Sequence, residues 1–176
     1  MKLPNLKSLR IVCYPDPVLK RKCDPVEEFE RGLRDLAERM IQLMRQAQGV
    51  GLAAPQVGVP IRLFVFSLSE EPGSEQVCMN PTLSGLDGAD EKEEGCLSIP
   101  GAMVTMRRAT KAVMDAFDLT GQPIQRVGHD LEARVWQHEM DHLDGRLIID
   151  NMSATDEIGN RRAIKQLVAD YGGPQR

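Results

Sequence analysis

The chain has 176 residues, with 26 acidic against 22 basic side chains and a formal net charge of −4. That length lets one domain over 1–176 bury a core without disulfides or a structural metal, and the acidic balance argues against a general nucleic-acid binder, so no DNA partner is expected. Hydrophobic residues at 41% and charged residues at 27% exclude wholesale disorder.

Four cysteines and three histidines are available to any site. Cys13, Cys23, Cys78 and Cys96 are widely spaced with no CxxC pair, which excludes a zinc ribbon, a thioredoxin-like motif and a disulfide scaffold. The N-terminal residues lack the apolar run of a signal peptide, and no stretch is long enough to span a bilayer. A reducing cytoplasm is therefore expected, with no membrane partner, and a mature organellar protein would read the same way. Residues 1–23 carry six basic side chains against Asp16, and residues 85–94 five acidic ones against Lys92; both runs read as solvated faces.

In chain order, Asp24-Pro25-Val26-Glu27 reads as an N-cap, a Pro at the first helical position and a capping-box Glu. Phe29, Leu33, Leu36, Met40, Leu43, Met44 and Ala47 then recur at three- and four-residue steps, predicting an amphipathic helix that Gly49 stops. Residues 49–58 are small, apolar and rich in breakers, an ordered loop or short extended segment. Residues 61–66 predict a buried strand and 76–83 another, interrupted at Pro81. The glycines and charges of 85–95 predict a surface loop. Short strands are expected at 96–99 and 103–107, and a hairpin from 111–119 and 123–127 around Thr120-Gly121-Gln122. A second helix is expected over 130–143, ending at Gly145. A third should span 154–171, capped by Ser153, with an apolar stripe through Ile164, Leu167, Val168 and Tyr171. Without βαβ alternation, this order predicts an α+β fold: antiparallel β-strands packed around a central helix, with an N-terminal helix and a C-terminal helix.

The central helix carries His138-Glu139-Met140-Asp141-His142, an HExxH motif. Residues four apart lie on one helix face about 6 Å apart along the axis, so two imidazoles can converge on one metal ion. Glu139, about 100° round the helix, flanks that ion, where a carboxylate could hold water and move its protons. Two unrelated histidines on a polar turn are the bland alternative. Leu131 and Val135 extend the histidine stripe toward the core, which favours the metal. Spacing alone leaves the third ligand open. Ile148 occupies the third-histidine position of one protease pattern, Glu157 has no supporting motif, and His129 is about 13 Å from His138 by helical rise. Cys96, in Glu94-Gly95-Cys96-Leu97-Ser98, would complete a three-ligand site, although a lone Cys beside Leu is more often a buried apolar residue.

Three segments together, Gly49-Val50-Gly51-Leu52-Ala53-Ala54-Pro55-Gln56, Glu94-Gly95-Cys96-Leu97-Ser98 and Gln137-His138-Glu139-Met140-Asp141-His142-Leu143, closely resemble the signature motifs of peptide deformylases. The likeness runs from about residue 9 to 167. It implies that Cys96, His138 and His142 are the metal ligands, that Glu139 is the general acid/base, and that Gln56 and the main-chain N–H of Leu97 hold the formyl oxygen. It also implies that Val50, Gly51 and Gly95 bind the substrate main chain, with Leu131 and Val135 as candidates for the methionine pocket or for core packing. The implied reaction removes the formyl group from the formyl-methionine of nascent polypeptides. Chemistry alone suggests Zn2+ for a Cys/His2 site; the resemblance implies Fe2+, with Ni2+ or Co2+ accepted. It further implies docking near the ribosomal exit through the third helix, whose basic cluster is Arg161, Arg162 and Lys165. A metalloprotease or a non-catalytic metal-stabilised binding protein are the other classes; the second would not need Glu139 and Gln56.

Overall fold

The computed structural model describes residues 4–28 and 31–173. Helix α1 (Arg31–Gln46) begins later than its sequence signal predicts. Asp24 instead bridges in parallel to Ile61, its N–H bonding Pro60 O and its carbonyl accepting from Arg62 N–H. The Asn80 side chain brackets Val26, accepting from its N–H at 2.7 Å and donating to its carbonyl at 2.8 Å. Tertiary pairing thus satisfies this backbone in an extended form, and the local capping signal loses. Phe29, expected on the helix face, lies outside the described residues.

The stop also differs by one residue. Gln48, not Gly49, adopts the left-handed conformation (φ 54°). Its N–H bonds Arg45 O while Gly49 N–H reaches Met44 O, the paired bonds of a Schellman ending. Ala47, expected on the buried face, is exposed beyond the helix end.

A five-stranded antiparallel sheet has the order β1 (Gly51–Ala53), β2 (Leu63–Phe66), β3 (Gln76–Asp87), β6 (Lys111–Phe117), β7 (Pro123–His129). Strand β2 is apolar throughout because both its faces are covered. Leu63 and Val65 pack into the cluster built on α1, whereas Phe64 and Phe66 pack with Trp136 and Leu143 of helix α2 (Asp130–Leu143). Successive strand side chains point to opposite faces, so a two-sided burial demands such a run. Trp136 is fully buried edge-on to Phe66, ring centroids 6.0 Å apart. Its ring fills the space beside Gly128, where a Cβ would stand 2.6 Å away.

Pro81 marks a shift of register against β6 between Met79 and Thr82, and the strand continues beyond it. Residues 85–95 are correspondingly not a loop. β3 runs on to Asp87, the chain turns at Gly88 (φ 67°), and β4 (Asp90–Glu94) pairs with β5 (Val104–Arg108) as a separate hairpin. Exposed acidic side chains on a two-stranded edge gave this segment the composition of a loop. Residues 96–99, expected as a strand, form a turn closed by Ile99 N–H to Cys96 O at 2.9 Å.

Helix α3 (Ala154–Tyr171) starts at the expected cap, Ser153 Oγ accepting from Asp156 N–H at 3.1 Å. Its buried stripe is narrower than predicted. Leu167 and Asn160 are buried, while Val168 and Tyr171 are 45% and 47% exposed. Leu167 joins Leu19, Ile99, Val104 and Ile148 in a third apolar cluster beneath the 96–102 segment.

Candidate active site

The HExxH spacing does what a helix requires of it. His138 and His142 stand one turn apart on α2, edge to face, with ring centroids 5.0 Å apart. The 96–99 turn, anchored by Tyr14 N–H to Ser98 O, delivers Cys96 so that Sγ lies 3.2 Å from His142 Nε2. The ligand atoms of Cys96, His138 and His142 all fall within 4.8 Å of one another. Neither His129, exposed before α2, nor Glu157, exposed on α3, joins them, and Ile148 is buried in the third cluster. One thiolate and two imidazoles would form a donor set for a transition-metal ion.

Behind His138 stands Glu94, buried at the end of β4. Its Oε2 is 3.0 Å from His138 Nδ1, and Arg108 grips it with Nε to Oε1 at 3.0 Å and Nη2 to Oε2 at 2.9 Å. Arg134 adds Nη1 to Oε1 at 2.7 Å, and Arg108 Nη1 also reaches Asp141 Oδ2 at 2.5 Å. Burial opposes the charge on Glu94, but the bonds from His138 and Arg108 prevail and hold its pKa at about 2. A carboxylate on the far nitrogen of a ligating histidine fixes ring orientation and tautomer. Gln137 ties the same helix to the end of β5, donating to Ala109 O and accepting from Ala109 N–H, both at 3.0 Å.

Glu139 faces the cavity from α2. It is 3% exposed, and its Oε2 has no hydrogen-bond partner among the described residues. Burial pushes its pKa up to about 7. The carboxylate lies against Gly51 of β1, where a Cβ would stand 2.3 Å from Glu139 Oε1 and 2.9 Å from Cδ. A Cβ at 51 and the acid in its present place exclude one another.

Gln56 is 1% exposed in the 3-10 turn Ala54–Val57. Its Oε1 accepts from Ala53 N–H at 2.8 Å, the local bond a loop glutamine would make. That bond aims Nε2 at the site, where it donates to Ser98 Oγ at 3.2 Å and to Cys96 Sγ at 3.6 Å. The N–H of Leu97 takes no part in the main-chain bonds that knit its turn. The Leu97 side chain covers Gly49, where a Cβ would meet it at 2.7 Å.

Gln56, Cys96, Leu97, His138 and Glu139 line one cavity of about 480 Å³. Gly51, at the start of the edge strand β1, and Val50 just before it form one wall, and Gly95 lies in the loop opposite. Leu131 and Val135 line the same cavity from α2. Val135 is 5% exposed but Leu131 is 52% exposed at the mouth, so core packing does not account for Leu131. The sequence reading assigned no role to Glu94, Ser98, Arg108 or Arg134. No local pattern marks the buried member of an acidic strand, and its two arginines lie 14 and 40 residues away.

Comparison with known proteins agrees with this arrangement. The polypeptide deformylase family model matches residues 8–157. The chain is 44% identical to the peptide deformylase of Acidobacterium capsulatum over 146 residues, covering 82% of this chain and 86% of that one. The peptide deformylase crystal structure from Legionella pneumophila superposes with a TM-score of 0.87 at 37% identity, over 96% of this chain and 100% of that one. That from Plasmodium falciparum gives 0.90 at 30% identity, over 95% and 99%. With its motifs, fold and Cys96–His138–His142 cluster each pointing the same way, the chain belongs to the polypeptide deformylase family.

Proposed function

We propose that this chain hydrolyses the N-formyl amide of formyl-methionyl nascent polypeptides, releasing formate, with Cys96, His138 and His142 holding one Fe2+. The observation that carries the residue assignment is a buried carboxylate with one oxygen unpartnered among the described residues, beside a Cys/His2 cluster in a cavity walled by an edge strand. The same donors suit Zn2+, Ni2+ or Co2+. When bound, the ion supplies Lewis acidity, which makes water acidic enough to attack near neutral pH.

The rest of the chemistry belongs to the chain. An extended peptide end adds to the free edge of β1, its main chain between Val50-Gly51 and Gly95. Leu131 and Val135 face the methionine side chain. The Gln56 amide and the Leu97 N–H donate to the formyl oxygen as charge builds on it, and losing one such donor costs about 2.7–4 kcal/mol of barrier. Glu139 takes a proton from the attacking water and returns it to the departing amine, a two-way task suited to an acid buried to a pKa of about 7.

Among the described residues no helix is long and apolar enough to cross a membrane. We place the reaction in the cytoplasm, on chains leaving the ribosome, where the exposed Arg161, Arg162 and Lys165 of α3 offer a basic contact. Loss of ribosome co-sedimentation on deleting 154–176 supports that contact, and unchanged sedimentation refutes it.

The reaction is tested by formate release from a formyl-Met tripeptide, comparing the iron-loaded parent with Glu139→Gln. The parent should release formate and the variant should be slower by about 10²–10⁴-fold. No formate from the parent overturns the function, and equal rates remove Glu139 from the proton path. Cleavage of internal bonds in an unformylated peptide would favour a metalloprotease.

A further inference from the structure

Three apolar side chains stand exposed around the cavity mouth. Val50, Met103 and Leu131 are 45%, 48% and 52% exposed, and all three line the cavity. Apolar surface gathered at one opening marks a contact site. Met103 has its main chain held by a side chain from another element. Asn160 of α3, 5% exposed, accepts from Met103 N–H at 2.9 Å and donates to Met103 O at 2.7 Å. A third bond, to Asp156 O at 2.9 Å, fixes the amide within its own helix. A buried polar side chain is thus committed to the main chain of one half-exposed residue. The Met103 side chain lies over Gly95, where a Cβ would stand 3.1 Å from its Sδ.

We propose that Met103, positioned by Asn160, is a specificity-determining residue that selects nascent chains with an apolar residue one or two places after the formyl-methionine. The inference rests on the deformylase reading above. With the reacting amide at Cys96 and the methionine beside Leu131 and Val135, the peptide leaves along Gly95. It passes beneath Met103, with Val50 on the facing wall. A thioether on an unbranched chain moulds to aliphatic and aromatic side chains of different shape. A polar side chain pressed between Met103 and Val50 would lose hydration without gaining a partner. Glu93, exposed at the same rim, adds repulsion against acidic residues. Helix α3 therefore shapes the substrate path although it carries none of the reacting groups.

The test measures kcat and KM for formyl-Met peptides with Leu, Gln or Asp at the second position, and separately at the third. Leu against Gln isolates apolar contact from charge, since the two are similar in size. At one of these positions the parent should favour Leu over Gln by about tenfold in kcat/KM, the scale of a hydrophobic subsite. The difference should lie in KM, as uniform binding requires. Met103→Gln keeps the side-chain length at a half-exposed position and should bring the ratio close to one. Asn160→Ala, checked for native circular dichroism, should also lower it. A parent that releases formate with no Leu preference at either position overturns this inference, as does Met103→Gln with the parental ratio. A folded Asn160→Ala with the parental ratio overturns the positioning role. A parent that releases no formate from any peptide defeats the deformylase reading instead.

Discussion

Gly51 shows how much of the site depends on an atom that is missing. Its neighbour is the Glu139 carboxylate, which a Cβ would approach to 2.3 Å. Because the backbone of Gly51 is ordinary paired strand, alanine there meets no conformational strain. Gly51→Ala should leave the fold nearly as stable while displacing the acid proposed to carry the proton. A misplacement of about 1 Å can cost about a hundredfold in rate, so kcat for formate release should fall by that order with an unchanged melting temperature. A parental kcat would show that Glu139 has room to move. The two histidines and Glu139 were legible in the sequence because helical geometry alone dictates where residues one and four apart must point. Cys96 was not, since nothing in the spacing connects a turn at 96 to a helix at 138, and only the combined motifs named it. Glu94 was less legible still. Its importance comes from Arg108, Arg134 and His138, which converge from β5 and α2, and a one-dimensional pattern carries no record of such a meeting.

Among the elements, α2, α3 and the β6–β7 hairpin were read closely because their signals are local: a periodic stripe, a capping serine, a turn around Gly121. The hairpin loop is indeed organised by one side chain, Asp118 accepting from the N–H groups of Thr120 and Gln122 at 2.8 and 3.0 Å. The start of α1 was misread because an equally good local signal, Asp24-Pro25-Val26-Glu27, competes with distant partners. Asn80 decides that competition. It sits at the β3 irregularity in the left-handed region (φ 49°) and holds both main-chain groups of Val26. Replacing it by glycine preserves the backbone conformation and removes only those two bonds. At about 1 kcal/mol net for each bond, Asn80→Gly should lose about 2 kcal/mol, read as a lower urea midpoint with an unchanged slope. Asn80→Ala should lose more, because alanine must also bear the positive φ. Equal losses for the two variants would mean that the conformation at 80 relaxes and that the bracket on Val26 is the whole effect.

At the scale of the molecule, the proposed ligands hang on a framework whose own bonds hold it together. Helix α2 is packed between the sheet and the β4–β5 hairpin, Glu94 is already paired by two arginines, and the 96–99 turn is bonded to Tyr14. Removing the metal with a chelator should therefore abolish formate release while the far-ultraviolet circular dichroism persists. Cysteine chemistry can report the same thing with residue resolution. Cys78 is 1% exposed and Cys23 4% exposed, and burial pushes both thiols up to about 12. The thiolate is the nucleophile, so raising a thiol's pKa lowers its reactive fraction; at pH 8 a pKa of about 12 leaves about one part in 10⁴ ionised. Cys13, half-buried, is shifted in the same direction by burial. Cys96 instead lines the cavity beside Gln56 Nε2, and a bound ion would occupy its sulfur. Iodoacetamide at pH 8 should accordingly spare the iron-loaded protein and, after chelation, modify Cys96 fastest by mass spectrometry, with Cys23 and Cys78 untouched until denaturant is added. Rapid labelling of Cys78 in the chelated protein would mean that the cluster around Phe64 and Trp136 opens when the ion leaves, and that metal binding supports the fold as well as the chemistry.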